Sequence, residues 1–268
     1  MRRIGIVGYG KLGKHLCTAI QQREDLELAF VWNRNPKAFG DEIPNAKRLH
    51  QLADFSTIHC DLIVEVAHPI ISKKWGSAFL EHADYMIGSP TALADRETEA
   101  AILQTQHPHS IYIPRGALPG LEEVINLKNS GRIAAAAITM RKHPKSLKYA
   151  GPHHSEIDQH GIQMYYQGPL RTLCGYAPNN VNTMAVLALS SGIGMDNVQA
   201  TLIANPNLNH HITEVSLYGP GSPEERFSLD LIRKSPAGAG AVTSSATFDT
   251  FLMSMLRAHG QKSGIHFC

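Results

Sequence analysis

The sequence predicts an α/β fold in its first half and an α+β fold in its second. Short apolar runs rich in β-branched residues alternate with stretches of helical spacing, and a glycine-rich turn follows the first run. Such alternation of strand and helix indicates a parallel sheet covered by helices on both faces. The predicted strands of this sheet are residues 4–7, 28–32, 62–66, 85–87 and 111–113.

The pattern changes after residue 117. A helix is predicted from Leu118 and Pro119, with the proline in its first turn, to about residue 130. Five longer strands follow, interrupted by one helix at about residues 182–190, and a last helix closes the chain. We therefore predict a nucleotide-binding type of domain over residues 1–117 and an α+β substrate domain over 118–242. A C-terminal segment, about 243–268, is expected to pack back on the first domain.

Composition excludes several classes of function. A formal net charge of only +2, without a basic block, argues against nucleic acid or an anionic membrane surface as the main partner. No apolar run reaches the roughly 18–20 residues that span a bilayer. The four cysteines form no C-x-x-C pair and are expected to be reduced thiols, so we predict a cytoplasmic protein.

A G-x-G-x-x-G motif occupies residues 8–13, directly after the first predicted strand and at the start of an amphipathic helix. Gly8 permits a tight turn, Gly10 lets a pyrophosphate approach the backbone, and Gly13 lets helix and strand pack closely. The N–H groups at the helix start, those of Lys11 and Leu12 included, would face the phosphates. The context therefore predicts a Rossmann domain that binds a dinucleotide.

The end of the second strand bears on the choice between NAD and NADP. NAD enzymes usually have an acid here that accepts hydrogen bonds from the ribose 2′-OH. This chain has Asn33-Arg34, and the planar guanidinium of Arg34 can pair a 2′-phosphate. We predict NADP as the preferred cofactor, with NAD tolerated. The alternative is that Arg34 only stacks on the adenine.

Short polar turns follow the strands expected at the middle of the sheet. In open α/β sheets, ligands bind outside the carboxyl ends of the strands. Ala67, His68 and Ser89 are therefore expected along the nicotinamide and its ribose. His68 is a catalytic candidate by position, but we expect it to order the loop or touch the cofactor.

Several stretches together resemble the L-aspartate dehydrogenase family, particularly its animal branch. They are spread in one order over nearly the whole chain: residues 5–10, 64–69, 88–93, 115–118, 180–185, the segment around His211, and 264–266. The resemblance implies NAD(P)-dependent oxidation of L-aspartate to iminoaspartate, which hydrolyses to oxaloacetate and ammonia, or the reverse amination. It also implies a homodimer.

The resemblance further implies site residues. His211 matches the proposed catalytic histidine of the family, and Ala117 and Asn182 match its cofactor contacts. A histidine suits a proton acceptor because its unperturbed pKa, about 6.5, lies near working pH. The stretch before His211 is shorter than in microbial members, so His210 stays open as an alternative. The adjacent histidines His210 and His211 could suggest a metal site. We predict none, because neighbouring residues on a strand face opposite sides of the sheet.

An amino dicarboxylic acid requires cationic or amide groups that hold its carboxylates. Arg115 is our candidate, since it follows the last strand of the first domain and offers a bidentate fork. Arg141, Lys142 and His143 are others, and for each of the four residues, Arg115 included, a solvated surface charge is an equal alternative.

Two alternative functions remain. The loop over residues 235–241 differs from that of microbial members, which leaves another amino acid, imine or oxo acid as the substrate. A sensor that binds NADPH without turnover is the alternative outside enzymes.

Overall fold

The computed structural model describes residues 1–152, 161–241 and 244–268. These residues form two compact units. One comprises Met1–Pro114 together with Phe251–Cys268, and the other comprises Arg115–Thr250. In the described part of the chain, no helix has both the length and the apolar character needed to cross a membrane.

Within the described residues, the structure has twelve strands and seven α-helices. The strands are β1 (Arg2–Val7), β2 (Leu26–Trp32), β3 (Arg48–Leu49), β4 (Leu62–Glu65), β5 (Asp84–Ile87), β6 (Ile111–Ile113), β7 (Ala135–Lys142), β8 (Gln163–Pro169), β9 (Gln199–Ala204), β10 (His210–Tyr218), β11 (Ser228–Pro236) and β12 (Ile265–Phe267). The helices are α1 (Lys11–Gln21), α2 (Pro69–Leu80), α3 (Arg96–Glu99), α4 (Leu121–Asn129), α5 (Leu170–Tyr176), α6 (Asn182–Ser191) and α7 (Ser245–Arg257).

The first unit contains a seven-stranded parallel sheet in the order β12-β6-β5-β4-β1-β2-β3. This confirms the predicted α/β class with a Rossmann-like sheet. The chain passes from β1 to β2 and β3 on one side, then crosses back to β4 on the other side of β1. Such a reversal of strand order opens a crevice at the carboxyl ends of the two central strands, where ligands bind in this architecture.

The C-terminal helix α7 completes the core of the first unit. Phe251, Met255 and Ala258 are buried there among side chains of the sheet and of α1. The guanidinium of Arg2 donates to the carbonyls of Met255 and Ala258 at the end of α7. These bonds satisfy carbonyls that a helix terminus leaves without partners. Strand β12 then adds to the edge of the sheet beside β6.

The second unit is built on a five-stranded mixed sheet in the order β11-β10-β7-β9-β8. The β7–β9 pair is parallel, and the other pairs are antiparallel. Burial alternates strictly along β7 and β10, as expected for a sheet with one face packed on a core. Helix α6, which is buried along nearly all its length, contacts β7 and α4.

The predicted start of the first helix in the second unit was wrong. Helix α4 begins at Leu121, because Gly120 adopts a left-handed conformation with φ of 61° and caps it. This backbone conformation favours glycine, and a Cβ atom here would also displace Cδ1 of Leu231, which lies 2.6 Å from its position. Pro119 therefore precedes the helix and does not lie in its first turn.

The packing of α7 gives a first prediction. Met255 is fully buried in the core of the first unit, whereas Met253 on the same helix is 47% exposed. Met255→Ala should lower the free energy of unfolding by about 2–5 kcal/mol, because it leaves a cavity. Met253→Ala is the matched control and should change it by no more than about 0.5 kcal/mol. Chemical denaturation of both variants measures this, and equal small effects would contradict the placement of α7.

Candidate active site

The glycine-rich turn lies at the carboxyl end of β1, where the strand order reverses. The N–H of Gly8 donates to the carbonyl of Trp32 over 2.8 Å, which ties the turn to β2. A Cβ atom on Gly13 would lie 2.0 Å from the carbonyl oxygen of Gly8. Helix α1 can therefore approach the strand this closely only because residue 13 has no side chain.

The start of α1 fits the phosphates of a dinucleotide. Apart from Gly10 and its immediate chain neighbours, no described residue has an atom within 4 Å of the position that a Cβ on Gly10 would occupy, so the space above this residue is open. Gly10 precedes the helix, and the first turn, which begins with Lys11 and Leu12, contains no acidic residue. Backbone N–H groups at such a terminus, with the helix dipole behind them, are suited to bind an anion.

The end of β2 is tied to the same turn. Oδ1 of Asn33 accepts a hydrogen bond from the N–H of Tyr9 at 3.0 Å, and its Nδ2 donates to the carbonyl of Asn35 at 2.9 Å. Arg34 beside it is exposed. The amide of Asn33 thus holds two loops together, and Arg34 is the charged group presented at this strand end.

The turns after β4 and β5 are held by a buried acid, Glu65, which the sequence analysis did not identify. Its Oε1 accepts from the N–H groups of Ala67 (2.6 Å) and His68 (2.8 Å), and from the hydroxyl of Ser89 (3.1 Å). Its Oε2 accepts from the N–H of Ser89 at 2.9 Å. Burial raises the pKa of Glu65 to about 7, although these four donors favour the ionised form. The only sequence signal was an acid at the end of an apolar strand.

Hydrogen bonds within the two turns hold the predicted residues Ala67, His68 and Ser89 in place. His68 caps α2, because its Nδ1 accepts from the N–H of Ile70 at 3.2 Å. Partial burial, together with the charge of Arg34, lowers the pKa of His68. Ala67 is exposed beside it, whereas Ser89 is buried with its hydroxyl bonded to Glu65. His68 therefore orders its loop. The other expectation from the sequence, a contact with the cofactor, stays a prediction.

A polar row crosses one end of the buried face of the second sheet. Ser235 of β11 pairs in register with His211 of β10. Ile212 pairs with Arg141 in the antiparallel β7–β10 ladder, so the next position sets His211 opposite Lys142. Ser235, His211 and Lys142 are 4%, 8% and 3% exposed, respectively. Three adjacent strands thus bring polar side chains together in a face that is otherwise mainly apolar.

The imidazole of His211 is arranged as a proton acceptor. Among the described residues, its buried Nε2 atom has no hydrogen-bond partner, and the ring bonds the backbone of Ala241. Since that bond favours the protonated ring, it is donated by Nδ1 to the carbonyl, which leaves the lone pair on Nε2. Burial and then the charge of Lys142 lower the pKa of His211 to about 4. His210 lies on the other face of β10, where its Nδ1 contacts Oδ1 of Asn209.

Lys142 is a buried ammonium and not a surface charge. Its Nζ donates to the carbonyl of Asn180 at 3.0 Å. The side chain of Asn180 is itself fixed, because it donates to the carbonyl of Ser146 (2.8 Å) and accepts from the N–H of Lys148 (2.8 Å). Lys142 is therefore held in place by a rigid neighbour.

Burial lowers the pKa of Lys142 from 10.5 to about 8. The folded chain therefore binds this proton more weakly than the unfolded chain does. The resulting penalty, on the order of 3 kcal/mol, is fully present below about pH 8 and disappears as the pH rises towards 10.5.

Two arginines flank the other side of the row. Arg233 donates from Nε to the hydroxyl of Ser235 at 3.0 Å and from Nη1 to the carbonyl of Gly116 at 3.4 Å. Burial, followed by the charge of Arg115, lowers the pKa of Arg233. Arg115, our sequence candidate, is thus near a second cation that sequence reasoning missed. Arg141 is different, because on the opposite face it forms a bidentate pair with Glu214 at 3.1 Å.

The remaining predicted residues also lie in the second unit. Ala117 is half-buried directly after Gly116. Asn182 is the first residue of α6, whereas the capping position belongs to Val181, whose side chain forms no capping hydrogen bond. Within the ranges that the structure describes, no group of three or more potential ligands is placed to hold a metal ion.

Comparison with known proteins identifies the family of this chain. The family model for the C-terminal region of aspartate dehydrogenase matches residues 123–254, and that for the NAD-binding domain of homoserine dehydrogenase matches residues 8–114. An aspartate dehydrogenase domain-containing protein from Danio rerio is 38% identical over 274 residues, covering 99% of this chain and 98% of that protein. This chain belongs to the aspartate dehydrogenase family.

More distant members of the aspartate dehydrogenase family extend the similarity. An L-aspartate dehydrogenase from Methanosarcina mazei is 30% identical over 234 residues, which cover 82% of this chain and 84% of that enzyme. The crystal structure of aspartate dehydrogenase from Thermotoga maritima superposes with a TM-score of 0.67 at 21% identity, covering 96% and 94% of the two chains. This chain therefore has the fold of an amino-acid dehydrogenase. Its first domain matches an NAD-binding domain.

The two glycines around α1 give a second prediction. Gly10→Ala should leave the stability of the protein without cofactor unchanged or slightly higher, because residue 10 has φ of −81° and open space around it. The methyl group would occupy the phosphate position, so NADPH affinity should fall roughly tenfold or more, equivalent to about 1.4 kcal/mol.

Gly13→Ala is the matched variant. Its methyl group would meet the backbone of Gly8, so it should lower the melting temperature even without cofactor. Thermal melts and calorimetric titration with NADPH distinguish the two variants. Unchanged NADPH affinity in Gly10→Ala would contradict the assignment of the phosphate site.

Proposed function

We propose that this protein is an NAD(P)-dependent L-aspartate dehydrogenase. It would oxidise L-aspartate at Cα to iminoaspartate, which hydrolyses to oxaloacetate and ammonia, or catalyse the reverse amination. The observation that carries the proposal is the buried imidazole of His211, whose Nε2 has no partner among the described residues and which lies in a row with the cationic side chain of Lys142. Membership of the aspartate dehydrogenase family supports it.

The first unit supplies the binding groups for the cofactor. A bound nicotinamide cofactor would supply the acceptor for the hydride that leaves Cα of the substrate. The turn at residues 8–13 would hold the phosphates, and Asn33 and Arg34 the adenosine ribose. Residues assigned to the nicotinamide end are Ala67, His68, Ser89, Ala117 and Asn182. Glu65 fixes the conformation of the turns that contain the first three of these.

His211 is the proposed general base. Oxidation of an amine to an imine releases a proton from the nitrogen, and Nε2 of a neutral imidazole can accept it. The bond to Ala241 orients the ring, and the depressed pKa keeps His211 neutral at pH 7 in the free protein. Arg115 is proposed to bind a substrate carboxylate, with Arg233 beside it.

Turnover tests this assignment. His211→Ala should reduce kcat for L-aspartate by about 10²–10⁴-fold, the usual contribution of a general base. NADPH affinity should persist, because the cofactor residues of the first unit are untouched. His210→Ala, on the opposite face of β10, is the control and should retain most of the activity. A His211→Ala variant with undiminished turnover would remove this residue from the mechanism.

Cofactor preference tests the role of Arg34. If Arg34 pairs a 2′-phosphate, Arg34→Ala should weaken NADPH binding by roughly tenfold or more while NADH binding stays within about twofold. Lys37→Ala removes another exposed cation from the same loop and is the control for general charge. Equal losses for NADPH and NADH would favour stacking on the adenine. Asn33→Asp should likewise shift preference towards NAD.

A different amino acid or oxo acid is the second candidate. The loop that differs from microbial members contacts the polar row directly, since the backbone of Ala241 bonds His211. The N–H of Gly240 in the same loop donates to the hydroxyl of Ser146 at 3.1 Å. A panel of amino acids and oxo acids, assayed by absorbance of the reduced cofactor, separates the candidates. Binding of NADPH without turnover of any of them would favour the sensor function. The homodimer and the cytoplasmic location stay predictions.

A further inference from the structure

We propose that Lys142 binds a carboxylate group of the substrate next to His211. The proposal rests on the proposed dehydrogenase function and extends it, because it names a substrate-binding residue on the side of His211 opposite to Arg233. The substrate class is an amino or oxo acid with at least one carboxylate.

The first argument is position. Lys142 is the last residue of β7, and strict alternation of burial sets its side chain on the same face as His211. Side chains directly opposite each other in an antiparallel pair have Cβ atoms about 4.5–5.5 Å apart. An anion bound to the ammonium group of Lys142 would therefore be within reach of the imidazole.

The second argument is the state of the ammonium group. It has three N–H donors, and among the described residues it forms one hydrogen bond, to the neutral carbonyl of Asn180. No carboxylate of the described residues forms an ion pair with it, although it is only 3% exposed. A buried charge without a counter-ion is unfavourable unless a partner arrives. The two remaining donors fit the oxygens of a carboxylate.

The third argument separates a binding role from a structural one. If Lys142 served only to fix Asn180, a neutral donor would do so without the desolvation penalty. The side chain of Asn180 is already fixed by Ser146 and Lys148, so the lysine is not needed to hold it. A stabilising function therefore does not explain why a charged group lies here.

Binding would also affect the neighbouring base. The positive charge of Lys142 disfavours protonation of His211 in the free protein. A carboxylate bound to Lys142 would cancel that charge. The pKa of the His211 imidazole would then rise towards the working pH as the substrate enters. The residue would then both hold the substrate and strengthen the proton acceptor.

The test compares Lys142→Met with Arg141→Met in the full chain loaded with NADPH. Methionine has a similar length and no charge, and Arg141 is one residue away on the opposite face. The probe is succinate, a dicarboxylate without an amine, and binding is measured by calorimetry. Lys142→Met should weaken succinate binding by roughly 10-fold to 100-fold and raise the melting temperature without ligand. Arg141→Met should bind succinate as the parent does.

Undiminished succinate binding by Lys142→Met, or no binding of succinate by the parent at millimolar concentration, would overturn the proposal. Should Lys142→Met fail to fold, the parent supplies a second measurement. Its affinity for succinate should fall as the pH rises from 7 to 10, because the ammonium group of Lys142 loses its proton over this range whereas His211 is already neutral at pH 7; a flat profile would count against Lys142.

Turnover is measured separately, on the parent, with L-aspartate and NADP. Absence of turnover together with a succinate difference between the variants would reject the proposed activity and keep the carboxylate site. Turnover of L-aspartate with an equal KM in the parent and in Lys142→Met would keep the proposed activity and reject the carboxylate site at Lys142.

Discussion

The candidate site in the second unit depends on one energetically unfavourable arrangement. Two ionisable groups are buried side by side without a counter-charge among the described residues. His211 responds by staying neutral, with its lone pair unpartnered, and Lys142 by holding its proton less tightly. Neither group contributes to stability in this state. Buried polar atoms without partners are rare in folded proteins and concentrate at functional sites. The incompletely partnered polar groups of His211 and Lys142 therefore indicate where the active site lies.

Glu65 in the first unit shows the contrast. It is as deeply buried as Lys142, yet both its oxygens accept hydrogen bonds, from Ala67, His68 and Ser89. A buried group with all its partners inside the protein fixes structure, here the two turns that follow β4 and β5. A buried group that lacks partners is suited to bind a ligand. The same burial thus supports a positioning role for Glu65 and a binding role for Lys142.

Much of the fold was predictable, because the local spacing of apolar residues indicates most of its strands and helices. The apolar runs gave the central strands of the first sheet, and the glycine motif gave the turn before α1. The edge strands β3 and β12 were missed, because two or three residues carry no measurable period. The start of α4 was misplaced because the helical spacing of the residues does not reveal that Gly120 adopts a left-handed conformation and caps the helix.

The candidate site was predictable only in part for the same reason. His211 was singled out by its resemblance to a family, and Arg34 and His68 by their positions after strands. Lys142 and Arg233 became visible only when the register of β7, β10 and β11 was known, since no local pattern states which strand lies beside which. Glu65 left the weakest signal, a lone acid whose partners are backbone groups.

The central claim is that His211 is a neutral imidazole with its proton on Nδ1 and its Nε2 lone pair available. Nuclear magnetic resonance of the histidine side chains, with His211→Ala to assign the signal, measures this directly. The account predicts an Nδ1–H tautomer at pH 7 that takes up a second proton only well below pH 6.5. An Nε2–H tautomer, or an imidazolium already formed at pH 7, would contradict it.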